Sequence, residues 1–304
     1  MSFGYEVLKG LFRLSGFKNR SFAGGAEDII ARAKARNAKN PIPDLRDPEI
    51  DVEQMSIDGC TVLRMTHRPR AERANLFLIG GGMVSAPRPG SIRKALQVAK
   101  ESGLDLYVPY YPLCTDYPLS RAYEMIMQTY QEMLRYYRPE NISLLGTSSG
   151  GNLALGMIPY MNDLKIELPR PALILALSPG SCVKTEAEWA RMLELDKKDV
   201  AIPAQYMKTA ESIMRHGDDT VPEYMIYLQT GDFSGCPKVI FNYGTDECLY
   251  ALAPSFEATM RKHGVDYEMV TGEGMFHCYP VFPVCREARE GWNWMIRTLR
   301  GDWK

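Results

Sequence analysis

The feature that most restricts the fold of this chain is a regular alternation of short apolar stretches with amphipathic ones, beginning at Cys60. The apolar stretches, in chain order, read TVLRMTH, ANLFLIG, LDLYVPY, NISLLGT, ALILALS, KVIFNYG and DYEMV. Helical periodicity separates most of them, for example between Pro118 and Arg138, where apolar side chains recur every three or four residues. Such alternation predicts an α/β fold with a mostly parallel central sheet and helices on both faces.

Two segments depart from this alternation. Residues 1–55 are charged and helix-prone, and residues 181–230 are polar and helical around EAEWARMLELD and PAQYMKTAESIMRHG. We therefore expect an N-terminal segment 1–55 ahead of a core spanning 56–304, with 181–230 as a lobe inserted into that core and not a separate domain.

Composition excludes several classes of function. The 304 residues carry a formal net charge of -1 without a long run of like charge, so we expect no nucleic-acid partner. Lys9, Arg13 and Lys18 interrupt the apolar N-terminus too often for a signal peptide or an integral membrane segment, which predicts a cytoplasmic protein. This N-terminal stretch is expected to pack on its own protein, the alternative being a helix on a membrane surface. The seven cysteines are scattered and without a C-x-x-C pair, as for reduced thiols.

The stretch LLGTSSGGNLAL places G-x-S-x-G where a predicted strand meets a predicted helix. In such a turn the serine backbone is strained, and side chains two residues before or after it would collide with neighbouring elements, so Gly146 and Gly150 are expected there. Ser148 is then the exposed nucleophile. The amide of Ser149, more than its side chain, would face negative charge developing beside Ser148. The alternative is a glycine-rich turn that packs closely or binds phosphate.

A serine nucleophile needs a base and an acid that orients the base. Of four histidines, His67 lies in an early strand, His216 in the inserted lobe and His263 at a helix end, whereas His277 lies in a loop after the last strand. Such loops meet at the carboxyl ends of the strands, which makes His277 the expected base. Asp246 follows the preceding strand and is the expected acid, with Glu247 as the alternative.

The three glycines in ANLFLIGGGM follow a predicted buried strand, and their amides could approach a substrate carbonyl without side-chain obstruction. Together these motifs resemble the hormone-sensitive-lipase-like branch of the α/β-hydrolases, a family of carboxylesterases and lipases, over residues 60–300. FLIGGGM resembles its H-G-G-G loop, PYYPLCTDYP its D-Y-R-L-A-P-E segment, and GTSSGGNLAL its G-D-S-A-G-G-N-L-A turn.

The resemblance implies that Gly81, Gly82 and Ser149 donate to the oxyanion, and that residues 1–55 and 181–230 form a helical cap over the pocket. Two departures from the family matter. Ile79 replaces the loop histidine, which in the family braces the loop, and the arginine-alanine-glutamate portion of the second segment is absent. We expect Ile79 to brace the loop by packing instead.

The residues thus predict a serine carboxylesterase acting on a small-molecule ester through Ser148, His277 and Asp246, with no cofactor and no metal. A roofed pocket favours short acyl chains of about two to six carbons, since each buried CH₂ contributes about 0.8 kcal/mol only until the pocket is full. Amide or aryl-formamide hydrolysis on the same triad, and a non-catalytic receptor of the same fold, stay open as alternatives. The sequence also leaves a homo-oligomer open.

Overall fold

The computed structural model describes residues 3–16, 18 and 22–303, and its centre is one eight-stranded sheet. The strands follow the spatial order β1-β2-β4-β3-β5-β6-β7-β8. The pairs β1/β2 and β2/β4 are antiparallel, and the five pairs from β4/β3 to β7/β8 are parallel. The mostly parallel sheet predicted from the alternation is therefore confirmed. The strands are β1 Ile50–Ile57, β2 Cys60–His67, β3 Ala74–Leu78, β4 Asp105–Pro109, β5 Ile142–Thr147, β6 Leu173–Leu177, β7 Lys238–Gly244 and β8 Tyr267–Gly272.

Helices cover both faces of the sheet because successive side chains of a buried strand point to opposite sides. Leu144 of β5 belongs to the apolar cluster on one face, and its neighbour Leu145 belongs to the cluster on the other. The α-helices of the core are α3 Pro89–Ser102, α4 Leu119–Leu134, α5 Ser149–Asp163, α9 Ala253–Lys262 and α10 Arg286–Arg300. α4, α5 and α9 share the cluster of Leu144, and α3 and α10 share that of Leu145.

The remaining α-helices come from the two segments outside the alternation. Those with described bounds are α1 Phe3–Ser15 and α2 Ala26–Asn37 from the N-terminal segment, and α6 Glu186–Asp196, α7 Ala204–Arg215 and α8 Glu223–Ile226 from the inserted lobe. The two segments meet, since α2 packs against α7 and the Lys18 ammonium lies 2.8 Å from an Asp196 carboxylate oxygen. Within the part of the chain that the structure describes, we find no helix with the length and apolarity needed to cross a membrane.

The N-terminal segment also contains a strand that the sequence did not predict. β1 begins at Ile50 and pairs with β2 from Ile50↔His67 to Ile57↔Cys60, so the expected boundary at residue 55 falls inside it. This strand lies at the edge of the sheet, and most of its side chains are not buried. An exposed edge strand need not be apolar, and for that reason IDVEQMSI gave no strand signal.

Candidate active site

Ser148 lies at the sharp turn between β5 and α5. Its backbone has φ 54° and ψ -125°, a left-handed φ that is strained for any residue with a side chain. The Ser148 amide donates to the Leu177 carbonyl at 2.8 Å, and the Ser148 carbonyl accepts from the amides of Gly151 and Asn152. Hydrogen bonds thus hold the turn on both sides of the serine, and the first residue of α5 follows the serine directly.

The glycines around Ser148 are required by close backbone packing. A Cβ atom on Gly146 would lie inside van der Waals contact with the Gly150 carbonyl oxygen. A Cβ atom on Gly150 would overlap the Leu78 carbonyl oxygen of the neighbouring strand β3. These contacts are the collisions predicted for residues two positions before and after the serine.

His277 faces Glu247. The imidazole Nδ1 lies 2.5 Å from Glu247 Oε2, the Glu247 side chain is completely buried, and only 9% of the His277 side chain is exposed. Glu247 follows β7 directly after Asp246, and His277 lies in the loop between β8 and α10. The structure therefore brings together the predicted histidine and the carboxylate that was the alternative acid.

Asp246 does not face the histidine, contrary to expectation. Its carboxylate lies 2.9 Å from the Lys9 ammonium of α1 and 3.7 Å from the Lys198 ammonium of the inserted lobe. Both residues lie in the turn that follows β7, and their carboxylates have separate partners there. At this turn it is Glu247 that points inward, while Asp246 anchors the N-terminal helix.

Two further groups orient the Glu247 carboxylate. Oε1 accepts a hydrogen bond from the Ser178 hydroxyl at 2.7 Å and another from the Gly244 amide at 2.8 Å. Ser178 follows β6, and its hydroxyl oxygen also accepts from the Cys278 amide at 2.8 Å. Ser178 thereby ties the carboxylate to the loop that carries the histidine, a role that no sequence motif indicated.

The surroundings of this pair shift both pKa values upward. Burial raises the pKa of Glu247, although the neighbouring His277 and the Ser178 hydroxyl counteract part of the shift. For His277, burial alone would lower the pKa, but Cys278 and the Glu247 carboxylate outweigh it, and the net pKa is well above the ordinary histidine value. The carboxylate favours a protonated imidazole, the state that a histidine reaches after it has taken a proton from a nucleophile.

Ser148 and the histidine loop converge on one backbone carbonyl. The Leu177 oxygen at the end of β6 accepts from the Ser148 amide and lies 3.5 Å from Cys278 Sγ. The same Sγ lies 3.6 Å from His277 Nε2, the ring nitrogen opposite Glu247. The nucleophile candidate, the histidine and the acid therefore gather at the carboxyl ends of β5, β7 and β8.

The glycine loop after β3 is held through hydroxyl groups. The Tyr111 hydroxyl donates to the Ile79 carbonyl at 2.7 Å, and the Gly80 amide donates to Thr147 Oγ1 at 2.9 Å. Farther along, the Gly81 amide donates to Ser149 Oγ at 2.9 Å, and the Tyr206 hydroxyl of helix α7 donates to the Gly82 carbonyl at 2.5 Å. Each residue from 79 to 82 thus has a hydrogen bond to a different side chain.

This arrangement changes the expected set of oxyanion donors. The Gly81 amide is already bonded to the Ser149 hydroxyl, so it is not free in this structure to meet an oxyanion. The Ser149 amide opens α5 and has no acceptor one turn earlier within the helix. Ile79 is 6% exposed and packs among the apolar residues of the Leu145 face, in agreement with a packing role.

The other histidines have different surroundings. His67 Nδ1 lies 3.0 Å from the buried Asp105, and His216 Nδ1 lies 3.0 Å from the Cys114 carbonyl. His263 is the C-terminal cap of α9, as expected, and lies 3.2 Å from Asp232. No group of three or more His, Cys, Asp or Glu side chains suited to a metal ion occurs in the described ranges.

Comparison with known proteins agrees with this architecture. The model of a family described as alpha/beta hydrolase fold matches residues 76–281. The chain is 24% identical over 259 residues to an acetyl-hydrolase of Streptomyces hygroscopicus, covering 82% of this chain and 83% of that protein. It is 25% identical over 215 residues to esterase LipU of Mycobacterium tuberculosis, covering 69% and 71%.

Among solved structures, the chain resembles an esterase from the bacterial hormone-sensitive lipase family. The TM-score is 0.80 at 20% sequence identity, and the match covers 99% of this chain and 98% of that one. The predicted fold class is confirmed by this likeness.

Proposed function

Because the chain belongs to the family of the α/β hydrolase fold, we propose that it is a serine carboxylesterase with Ser148 as its nucleophile. The observation that carries the proposal is the strained Ser148 turn, at the same sheet edge as the Glu247–His277 pair. A serine hydroxyl is a weak nucleophile at neutral pH, and an acyl-enzyme mechanism requires a strained turn that presents the hydroxyl to a base. The two relatives named acetyl-hydrolase and esterase support ester substrates.

In the proposed reaction, Ser148 Oγ attacks the ester carbonyl while His277 Nε2 accepts its proton. The imidazolium then gives this proton to the leaving alcohol, and an acyl-enzyme remains. Water, deprotonated by His277, attacks the acyl group, releases the acid and restores Ser148. Glu247 holds Nδ1 of the imidazole and stabilises its positive charge, and so takes the place of Asp246 as the third member of the triad.

The oxyanion formed in each step would bind to the amides of Gly82 and Ser149. These groups come from the glycine loop and from the first residue of α5, where the helix dipole also favours negative charge. Gly81 is left out of this set, since its amide donates to Ser149 Oγ.

For the substrate we propose esters with short acyl chains, about two to six carbons. The cap supports this proposal: Tyr206 of α7 reaches the oxyanion loop, and α2 packs on α7, which places two helices over the sheet edge. A roof of this kind excludes water but limits the acyl length that fits below it. The name acetyl-hydrolase of one relative supports a short acyl group as well.

Two experiments test the proposal. A fluorophosphonate probe should label the purified protein at Ser148, and Ser148→Ala should abolish the labelling while Ser143→Ala, a buried serine of β5, should not. The second experiment measures kcat/KM for p-nitrophenyl esters from acetate to palmitate. A maximum at ten carbons or longer, or a jump in rate at an oil-water interface, would instead indicate a lipase with a mobile lid.

A further inference from the structure

The Ser149 hydroxyl contacts the glycine loop, although the sequence predicted a smaller role for this side chain than for the Ser149 amide. It accepts the Gly81 amide hydrogen at 2.9 Å, and the Ser149 residue is 8% exposed. A hydroxyl shielded from water in this way gains more from a hydrogen bond than an exposed one, and the Gly81 amide would lose this acceptor if the hydroxyl were removed.

Tyr111 holds the opposite end of the same loop. Its hydroxyl donates to the Ile79 carbonyl at 2.7 Å, and its side chain is 4% exposed. The Ser149 and Tyr111 side chains also adjoin each other, since a hydrogen bond from Ser149 opposes part of the pKa increase that burial imposes on Tyr111. The two hydroxyls thus form one polar cluster beneath the loop.

These contacts fix the peptide groups on either side of Gly80. Tyr111 and Thr147 bind the carbonyl and amide of the Ile79–Gly80 peptide, and Ser149 binds the amide of the next peptide. The peptide after that joins Gly81 to Gly82 and carries the Gly82 amide. The carbonyl of the same peptide, that of Gly81, accepts a hydrogen bond from the Ser85 amide at 2.9 Å. Three consecutive glycines have little conformational preference of their own, so neighbouring groups must determine where the Gly82 amide points.

We propose that the side-chain hydroxyls of Ser149 and Tyr111 are the brace of the oxyanion loop and position the Gly82 amide for catalysis. The inference rests on the proposed esterase function and deepens it. It also accounts for two differences from the resembling motifs, which have a histidine at position 79 and an alanine at position 149. In place of a loop histidine, the hydroxyl groups beneath the loop hold it, and Ile79 adds apolar packing.

The test compares Ser149→Ala and Tyr111→Phe with the parent protein on p-nitrophenyl acetate. A misplacement of reacting groups by about 1 Å costs about 100-fold, so each variant should lose about 10- to 100-fold in kcat while KM stays within about three-fold. Affinity for an alkyl boronic acid, which forms a tetrahedral adduct with an active serine, should fall by the same factor as kcat/KM. The double variant should lose less than the product of the two single losses, because both changes release one loop.

Tyr130→Phe is the matched control. Like Tyr111, Tyr130 donates its hydroxyl hydrogen to a backbone carbonyl, that of Pro169, at a distance of 2.8 Å, but this hydrogen bond lies away from the site. This variant should leave kcat and boronic acid affinity unchanged. Thermal unfolding of all variants identifies any that do not fold. If Ser149→Ala does not fold, the kinetics of Tyr111→Phe still test the proposal. If kcat is unchanged or higher in both folded variants, the proposed brace is refuted. A higher kcat in Ser149→Ala would mean that the hydroxyl competes with the oxyanion for the Gly81 amide. A parent protein that neither reacts with fluorophosphonate nor cleaves esters would refute the proposed function itself.

Discussion

Glu247 and His277 form a buried contact of 2.5 Å between Oε2 and Nδ1, while Asp246, one residue earlier, pairs with Lys9 on the opposite side of the same turn. Two neighbouring carboxylates thus have separate partners and separate consequences. One can act on the reaction through the imidazole, and the other fastens the N-terminal helix to the core.

Because the two carboxylates have different partners, we expect one conservative substitution to lower kcat and the other to lower thermal stability. Glu247→Gln keeps the shape of the side chain but removes the charge that orients and stabilises the imidazolium, so kcat should fall by about 10⁴-fold. Asp246→Asn should reduce kcat far less and act mainly on thermal stability through the lost pairing with Lys9. Steady-state kinetics and thermal unfolding of both variants provide the comparison, and a larger kcat loss in Asp246→Asn would return the acid role to Asp246.

Ser148 and His277 should behave as one catalytic unit. Ser148→Ala and His277→Ala are each expected to remove nearly all ester hydrolysis, by about 10⁶-fold. The double variant should be hardly slower than either single one, because neither residue is useful without the other. Single-turnover assays on the three variants check this, and losses that multiply would contradict a shared step.

The raised pKa of His277 predicts the pH dependence of the reaction. A general base must be neutral, and a raised pKa keeps the imidazole protonated to higher pH, so kcat/KM should rise with pH to a plateau beyond a midpoint above about 6.5. In Glu247→Gln the carboxylate no longer favours the imidazolium, and the pKa of His277 should move downward. NMR titration of the imidazole in both proteins measures the two values directly. An increase in the pKa of His277 in Glu247→Gln would exclude this electrostatic role of Glu247.

The glycine at position 150 should tolerate no side chain. Gly150→Ala would force a Cβ into the Leu78 carbonyl and should lower the free energy of unfolding by at least about 3 kcal/mol, or prevent folding. Gly90→Ala is the control, since a Cβ there meets no atom within 4 Å, and its effect should stay within about 1 kcal/mol. Denaturant unfolding of both variants gives the two free energies, and equal stabilities would refute the steric requirement.

Much of the fold was predictable because burial leaves a pattern in the sequence. Strands such as LILAL and ISLLG are buried on both faces and therefore consist of apolar runs that local inspection detects. β1 was missed because most of its side chains are not buried, and the pairing with β2 that creates it is not visible in its own residues.

At the site, the sequence predicted Ser148 and His277 from their positions along the chain and favoured Asp246 over Glu247 as the acid, whereas it is Glu247 that contacts the imidazole. Which of two adjacent carboxylates is buried depends on Ser178 and Lys9, which are distant in sequence and meet the turn only in the folded chain. The side-chain role of Ser149 was missed for the same reason, because its partner Gly81 lies 68 residues earlier.

The ion pair between Lys9 and Asp246 joins residues separated by 237 positions, and Tyr5 reaches even farther, to the Gly274 carbonyl. During translation at about 5–20 residues per second, α1 therefore waits about 10 to 50 s for its partners to be synthesised. The residues that follow His277 must also leave the ribosome before this loop can fold. We expect nascent chains to carry the nucleophile turn for some time without a functional histidine, so that esterase activity appears only after the His277 loop has left the ribosome and folded.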